Sequence, residues 1–152
     1  MQKEYEVIIA DTSCLILLEK IGKLDLLQSI FGTVTITDTI AGEFGSRLPE
    51  WISIRIAADS GAEYTFDLDP GEAGAIAFAM TLDSVLLILD DYKARKVAQR
   101  LGLEITGTLG VLLKAKQMMV ISSITPILEE IQQTNFRYSQ KVFEQILLLA
   151  NE

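Results

Sequence analysis

The sequence predicts an α/β domain of three layers, α/β/α, built on a central, mostly parallel twisted sheet. Three observations carry that expectation. Apolar runs of strand length alternate with helical segments along the chain, the pattern of βαβ units. Val85-Leu86-Leu87-Ile88-Leu89 is apolar without alternation, as in a strand covered on both faces. The 152 residues are 49% hydrophobic, which supplies one well-buried core and a single domain over residues 1–152.

Composition narrows the chemistry. The chain has no histidine and one cysteine, Cys14. A Ser-His-Asp or Cys-His mechanism is therefore excluded, and a zinc site of common type lacks ligands. Cys14 sits in an apolar helix and is expected to fill core, and a lone thiol suits a reducing compartment. Any metal must be held by oxygen, which points to magnesium or manganese. The net charge of −8 argues against coating nucleic acid non-specifically, but leaves open a route to a phosphodiester through metal ions. No apolar run approaches the roughly 18 residues of a membrane span. Met1-Gln2-Lys3-Glu4-Tyr5 leads into a strand without a secretory signal. The expectation is a soluble, cytoplasmic protein.

The elements follow in order. Val7-Ile8-Ile9-Ala10 is a buried strand that stops at Asp11; Thr12 and Ser13 follow, and a helix runs through Cys14 to Lys20. Leu24 to Ile30 is a short amphipathic helix, turned by Phe31-Gly32. Thr33 to Thr37 alternates and is β-branched, hence a strand. Asp38-Thr39 is expected to cap a helix to about Arg47 that carries Glu43. Leu48 to Trp51 is a loop, Ile52 to Ile56 a short strand, and Ala57 to Thr65 is weakly patterned. Asp69-Pro70-Gly71-Glu72 starts a helix rich in small residues, with Asp at the cap and Pro in the first turn. The strand over Ser84 to Leu89 ends in Asp90-Asp91, before a helix from Tyr92 to Leu101 that Gly102 stops. Leu103 to Thr106 is a strand, and Gly107-Thr108 leads into a helix from Leu109 to about Met118. Val120-Ile121 is short and apolar. Thr125-Pro126 starts a helix to about Gln133 by the same cap-and-proline logic, Asn135 to Tyr138 is a loop, and Ser139 to Ala150 is the last helix.

Acids cluster at strand ends. Asp11 follows the first strand, Asp38 and Glu43 the second, and Asp90 and Asp91 the strand at 84–89. In a parallel sheet those ends share one edge, where ligands bind in open α/β folds. Each residue has a plainer role as well. Asp11 could cap the first helix, Glu72 could complete a capping box with Asp69, and Thr108 could be a cap. One cap needs one acid, so the pair Asp90-Asp91 favours a site. Two carboxylates about 4 Å apart repel by roughly 1 kcal/mol in water and about 4 kcal/mol when partly buried. Several of them together imply protonated acids or a divalent cation. Between Tyr92 and Arg100 stand Lys93, Arg95, Lys96 and Arg100 with no acid, and Lys93 or Arg95 could meet RNA phosphates.

The strand ending in D-T-S, the glutamate after strand two, L-D-P-G-E-A-G-A-I-A-F-A, L-D-D-Y-K-A-R and I-T-G-T-L-G-V-L-L-K-A-K together resemble the PIN domain, nearest the branch similar to VapC-type toxins. The resemblance covers nearly the whole chain. It implies a magnesium- or manganese-dependent ribonuclease, the toxin of a toxin–antitoxin pair, with a parallel sheet and an acidic pocket. It implies Asp11 as first metal ligand and Glu43 as the acid of the helix after strand two. Glu72 stands where many relatives have an aspartate. Asp91 looks like the last acid, with Asp90 as its neighbour or substitute. Thr12, Ser13 and Thr108 would orient ligands or water. The implied partners are an RNA substrate, a small antitoxin protein and a second copy in a homodimer. The alternative is a PIN-like binding or regulatory module with weak or no catalysis.

Overall fold

The computed structural model describes residues 5–56 and 67–152. Met1–Glu4 and the weakly patterned stretch from Ala57 to Thr65 lie outside the described residues. The strands are β1 (Val7–Ala10), β2 (Val34–Thr37), β3 (Ile52–Arg55), β4 (Val85–Ile88) and β5 (Glu104–Thr106). They form one sheet in the order β3-β2-β1-β4-β5, and every pair is parallel. The helices among the described residues are α1 (Thr12–Lys20), α2 (Asp25–Phe31), α3 (Asp38–Phe44), α4 (Pro70–Met80), α5 (Tyr92–Arg100), α6 (Thr108–Gln117), α7 (Thr125–Gln132) and α8 (Gln140–Leu149). The three-layer α/β/α arrangement is the one the alternating pattern predicts.

The chain lays β2 and β3 on one side of β1, then crosses to the other side for β4 and β5. That reversal makes a crevice at the carboxyl end of β1 and β4. Helix α4 packs on β1, β2 and β4, with α3 and α5 beside it. Its Ala75, Ala77 and Ala79 are buried, so small side chains do bring this helix close to the sheet. All four residues of β4 are buried, as its unalternating sequence requires. Ile9, Leu87 and Ile88 in the strands and Leu15, Leu18 and Leu112 in the helices are almost fully enclosed. Burial of each such side chain stabilises the fold by about 1.5–3 kcal/mol.

Three helix starts differ from expectation. Thr37, not Asp38, caps α3: its hydroxyl accepts from the Ile40 N–H at 3.3 Å, and Asp38 is already helical. That helix ends at Phe44, short of Arg47, because Gly45 takes the left-handed φ of +70°. Thr125 does not cap α7. The Glu152 carboxylate caps it instead, accepting from the Ile124 N–H at 2.8 Å and the Thr125 N–H at 3.0 Å. Thr108 is not a cap either, since Gly107 holds that position before α6. Val120-Ile121 forms no strand.

Removing the hydroxyl that caps α3 should cost about 1 kcal/mol, so Thr37→Ala should lower the melting temperature while Thr37→Ser largely retains it. Equal melting of Thr37→Ala and the parent would show that the cap contributes nothing.

Candidate active site

Strand register delivers the first acids. Ala10 pairs with Ile88, so Asp11 and Asp90 leave neighbouring strands at the carboxyl edge and flank the crevice. Ile88 pairs with Thr106, so Thr108 comes beside Asp90 two residues on. The Thr108 N–H donates to Asp90 Oδ1 at 2.8 Å and its hydroxyl to Oδ2 at 2.5 Å. Gly107 permits this approach: a Cβ there would lie 2.9 Å from Asp90 Oδ1 and 2.9 Å from Arg95 Nη1.

Asp11 is only 3% exposed. It stands at the cap position of α1, yet its side chain makes no capping hydrogen bond. The capping alternative for Asp11 therefore fails. Burial, with the Thr12 backbone N–H partly offsetting it and the charges of Asp69, Glu43 and Asp90 adding to it, pushes the Asp11 carboxyl from 3.8 up to about 7.

Glu43 reaches across from α3. Its Oε1 accepts from the Thr12 hydroxyl at 2.8 Å. A Cβ on Gly71 would come within 2.0 Å of the same oxygen, so Glu43 occupies the space that the missing side chain leaves. Glu72 is buried in the first turn of α4, below Asp69, whose carboxylate accepts from the Glu72 N–H at 2.9 Å. The cap half of the predicted box is real. The Glu72 carboxyl nevertheless belongs with the acids. Burial, then the charges of Asp69, Asp91 and Asp11, push it from 4.5 up to about 8.

The two acids after β4 divide their tasks. Asp90 is half-buried and tied to Thr108. Asp91 is exposed and caps α5, accepting from the Ala94 N–H at 3.0 Å, while its charge acts on Glu72. Ser13 is half-buried in the first turn of α1 and takes no part in these bonds. Lys93 is exposed on α5, whereas Arg95 turns inward and donates to the Leu89 carbonyl at 3.0 Å. Lys96 and Arg100 lie exposed, as a solvated helix face requires. Cys14 is fully buried core, and burial raises its thiol far above the ordinary range.

Two further residues join the site. Asp69 reads in the sequence only as a cap, yet its charge acts on both Asp11 and Glu72. Tyr138 reads only as loop, yet its side chain faces Thr108 and Asp90, and burial raises its hydroxyl pKa. The capping-box spacing signals Asp69; no local pattern signals Tyr138.

The family model DUF3368, described as a PIN domain, matches residues 7–152. The chain belongs to the PIN-domain family. Neither a curated protein nor a solved structure matches it. PIN domains are generally nucleases and generally use divalent metals. In this PIN domain, no three acidic or cysteine side chains among the described residues stand as a ready-made set around one ion. The donor chemistry nonetheless suits a hard cation. The donors are all oxygens, and Asp11 and Glu72 hold protons near neutrality because they are buried among like charges. Asp11, Glu72, Asp90 and Asp91 are the side chains that would hold it.

Stability should report this crowding. Unfolded, Asp11 releases its proton near 3.8 and Glu72 near 4.5; folded, they do so at about 7 and about 8. Their contribution is complete below pH about 4 and is lost as pH rises through about 7 to 8, up to about 4 kcal/mol for Asp11. In metal-free buffer Asp11→Asn should flatten that fall in thermal melting; an equally steep fall in the variant would contradict it. Gly71→Ala should fold, since alanine suits a helix. Its crystal structure should show Glu43 swung away from Thr12; an unmoved Glu43 would refute the close approach.

Proposed function

We propose that this PIN domain is a magnesium- or manganese-dependent endoribonuclease that hydrolyses RNA phosphodiester bonds, and that it is the toxin of a toxin–antitoxin pair. The observation that carries this reading is a buried, non-capping Asp11 among Glu43, Asp69, Glu72 and Asp90 in a chain without histidine. When bound, the cation supplies Lewis-acid polarisation of the phosphoryl oxygen and acidifies a water molecule to serve as nucleophile.

The chain's own residues have separate tasks in this reading. Asp11, Glu72, Asp90 and Asp91 hold the cation. Glu43, anchored by Thr12, lies against the first turn of α4 and sets the position of an attacking water. Thr108 fixes both oxygens of Asp90, and Ser13 orients ligands from α1. Lys93, exposed on α5, meets the RNA backbone, and Arg95 holds the wall behind Asp90. The partners that complete the reading are a second copy in a homodimer and a small antitoxin that covers the acidic pocket.

A second reading is a PIN-like nucleic-acid-binding or regulatory module without appreciable catalysis. The observation that favours it is the commitment of both Asp90 oxygens to Thr108, which leaves the acids short of a closed set.

Purified protein should cut RNA with manganese or magnesium and stop when EDTA removes the metal. Asp11→Asn should lower the rate on the order of a hundredfold or more while far-UV circular dichroism stays unchanged. Robust cutting by Asp11→Asn would remove Asp11 from the site. Calorimetry without any manganese binding, together with no cleavage, would favour the second reading.

A further inference from the structure

Resting on the ribonuclease reading of the acidic site, we propose that the groove between α5, α6 and α8 seats one unstacked base of single-stranded RNA beside the bond to be cut, with Tyr92 and Tyr138 as its aromatic walls. The groove encloses about 460 Å³ and is lined by Asp90, Tyr92, Tyr138, Leu109, Val142 and Ile146. It begins where the acid cluster ends, because Asp90 belongs to both. Its volume lies in the range of small-molecule sites, roughly 300–1,000 Å³, enough for a nucleotide and far too small for a double helix. A second hollow of about 260 Å³, near Tyr5, Ser84 and Glu104, lies at the opposite edge of the sheet, away from the acids.

The groove has the chemistry of a base site. Its lining combines apolar and aromatic side chains with the polar groups of Asp90 and Arg95. Tyr92 is 69% exposed, and Lys96 Nζ stands 4.7 Å from its ring centroid, so a ring and a cation are presented together at the mouth. Stacking on such a ring is tolerant of base identity because every base has a π-face. Tyr138 is held in place. Lys20 Nζ donates to Asn135 Oδ1 at 2.5 Å and lies 5.6 Å from the Phe136 ring centroid, and the Tyr138 ring packs 5.8 Å from that of Phe143.

Charge selects the occupant. The mouth is carried by α5, which has four basic residues and no acid in a chain of net charge −8. A polyanion is drawn to that helix, and flanking phosphates can follow it while the base enters the groove. A base can enter only when it is unpaired, since a paired base in A-form RNA keeps its faces stacked. The groove is therefore a seat for an unpaired nucleobase, with Tyr92 and Tyr138 in its lining.

The test titrates a short fluorescein-labelled single-stranded RNA into Asp11→Asn protein in EDTA and follows anisotropy. Adding Tyr92→Ala should weaken binding roughly five- to a hundredfold. Adding Tyr92→Phe should leave it unchanged, and a blunt RNA duplex should bind both forms alike. Tyr138→Ala, checked by thermal melting, should repeat the loss. Undiminished single-strand binding by both alanine variants, or an equal loss for the duplex, overturns the base site. Cleavage by the wild type separates this failure from that of the ribonuclease reading. A protein that cuts RNA yet shows no tyrosine effect keeps the nuclease and loses the groove. One that never cuts but loses single-strand binding in Tyr92→Ala keeps the groove and loses the nuclease.

Discussion

Like charge gathered in a confined space is the constraint on which this molecule depends. The parallel sheet brings the ends of β1 and β4 together, and the chain places acids at both. Asp11 bears the heaviest burden because it is buried as well as crowded. At the effective dielectric of a partly buried site, two carboxylates about 4 Å apart repel by about 4 kcal/mol. Retained protons relieve that cost, and a bound cation would relieve it by opposite charge. The helices that begin at this edge help, since their N-termini carry a partial positive charge of roughly half an electron.

The fold positions Glu43 and Asp90 by small, specific allowances. Gly71 leaves room for the Glu43 carboxylate at the first turn of α4, and the Thr12 hydroxyl keeps it there. Gly107 does the same for Asp90 and Arg95, and the Thr108 backbone and hydroxyl complete the grip. Both glycines matter through what a Cβ would strike, not through an unusual backbone angle. These two acids are thus positioned by neighbours from other elements, which is the form of support a binding site needs to be held ready.

An acidic protein that engages a polyanion must localise its positive charge. Here α5 carries four basic residues and no acid, and its first residues follow directly on Asp90 and Asp91. The helix joins two unlike surfaces, the acid crevice on one side and an aromatic groove on the other. Repulsion from the overall charge disfavours indiscriminate binding of a polyanion.

Hydrophobic pattern and turn chemistry by themselves determined the strands, the sequence of helices, the parallel sheet and the edge on which Asp11, Asp90 and Asp91 lie. Those are local signals, repeated along the chain, and each segment carries its own. The cap of α4 was equally legible, because Asp69 bonds an N–H group three residues away; Ser139, read as the first residue of the last helix, proves to be its cap. Only the tertiary structure decided that Asp11 is buried without capping, that Asp90 sits within and Asp91 at the rim, and that Asp69 joins the cluster. It alone brought Tyr138 to Thr108, 30 positions apart in the chain, and Glu152 to the start of α7. Such contacts depend on where distant segments come to rest once the core closes, and no window of neighbouring residues contains that information.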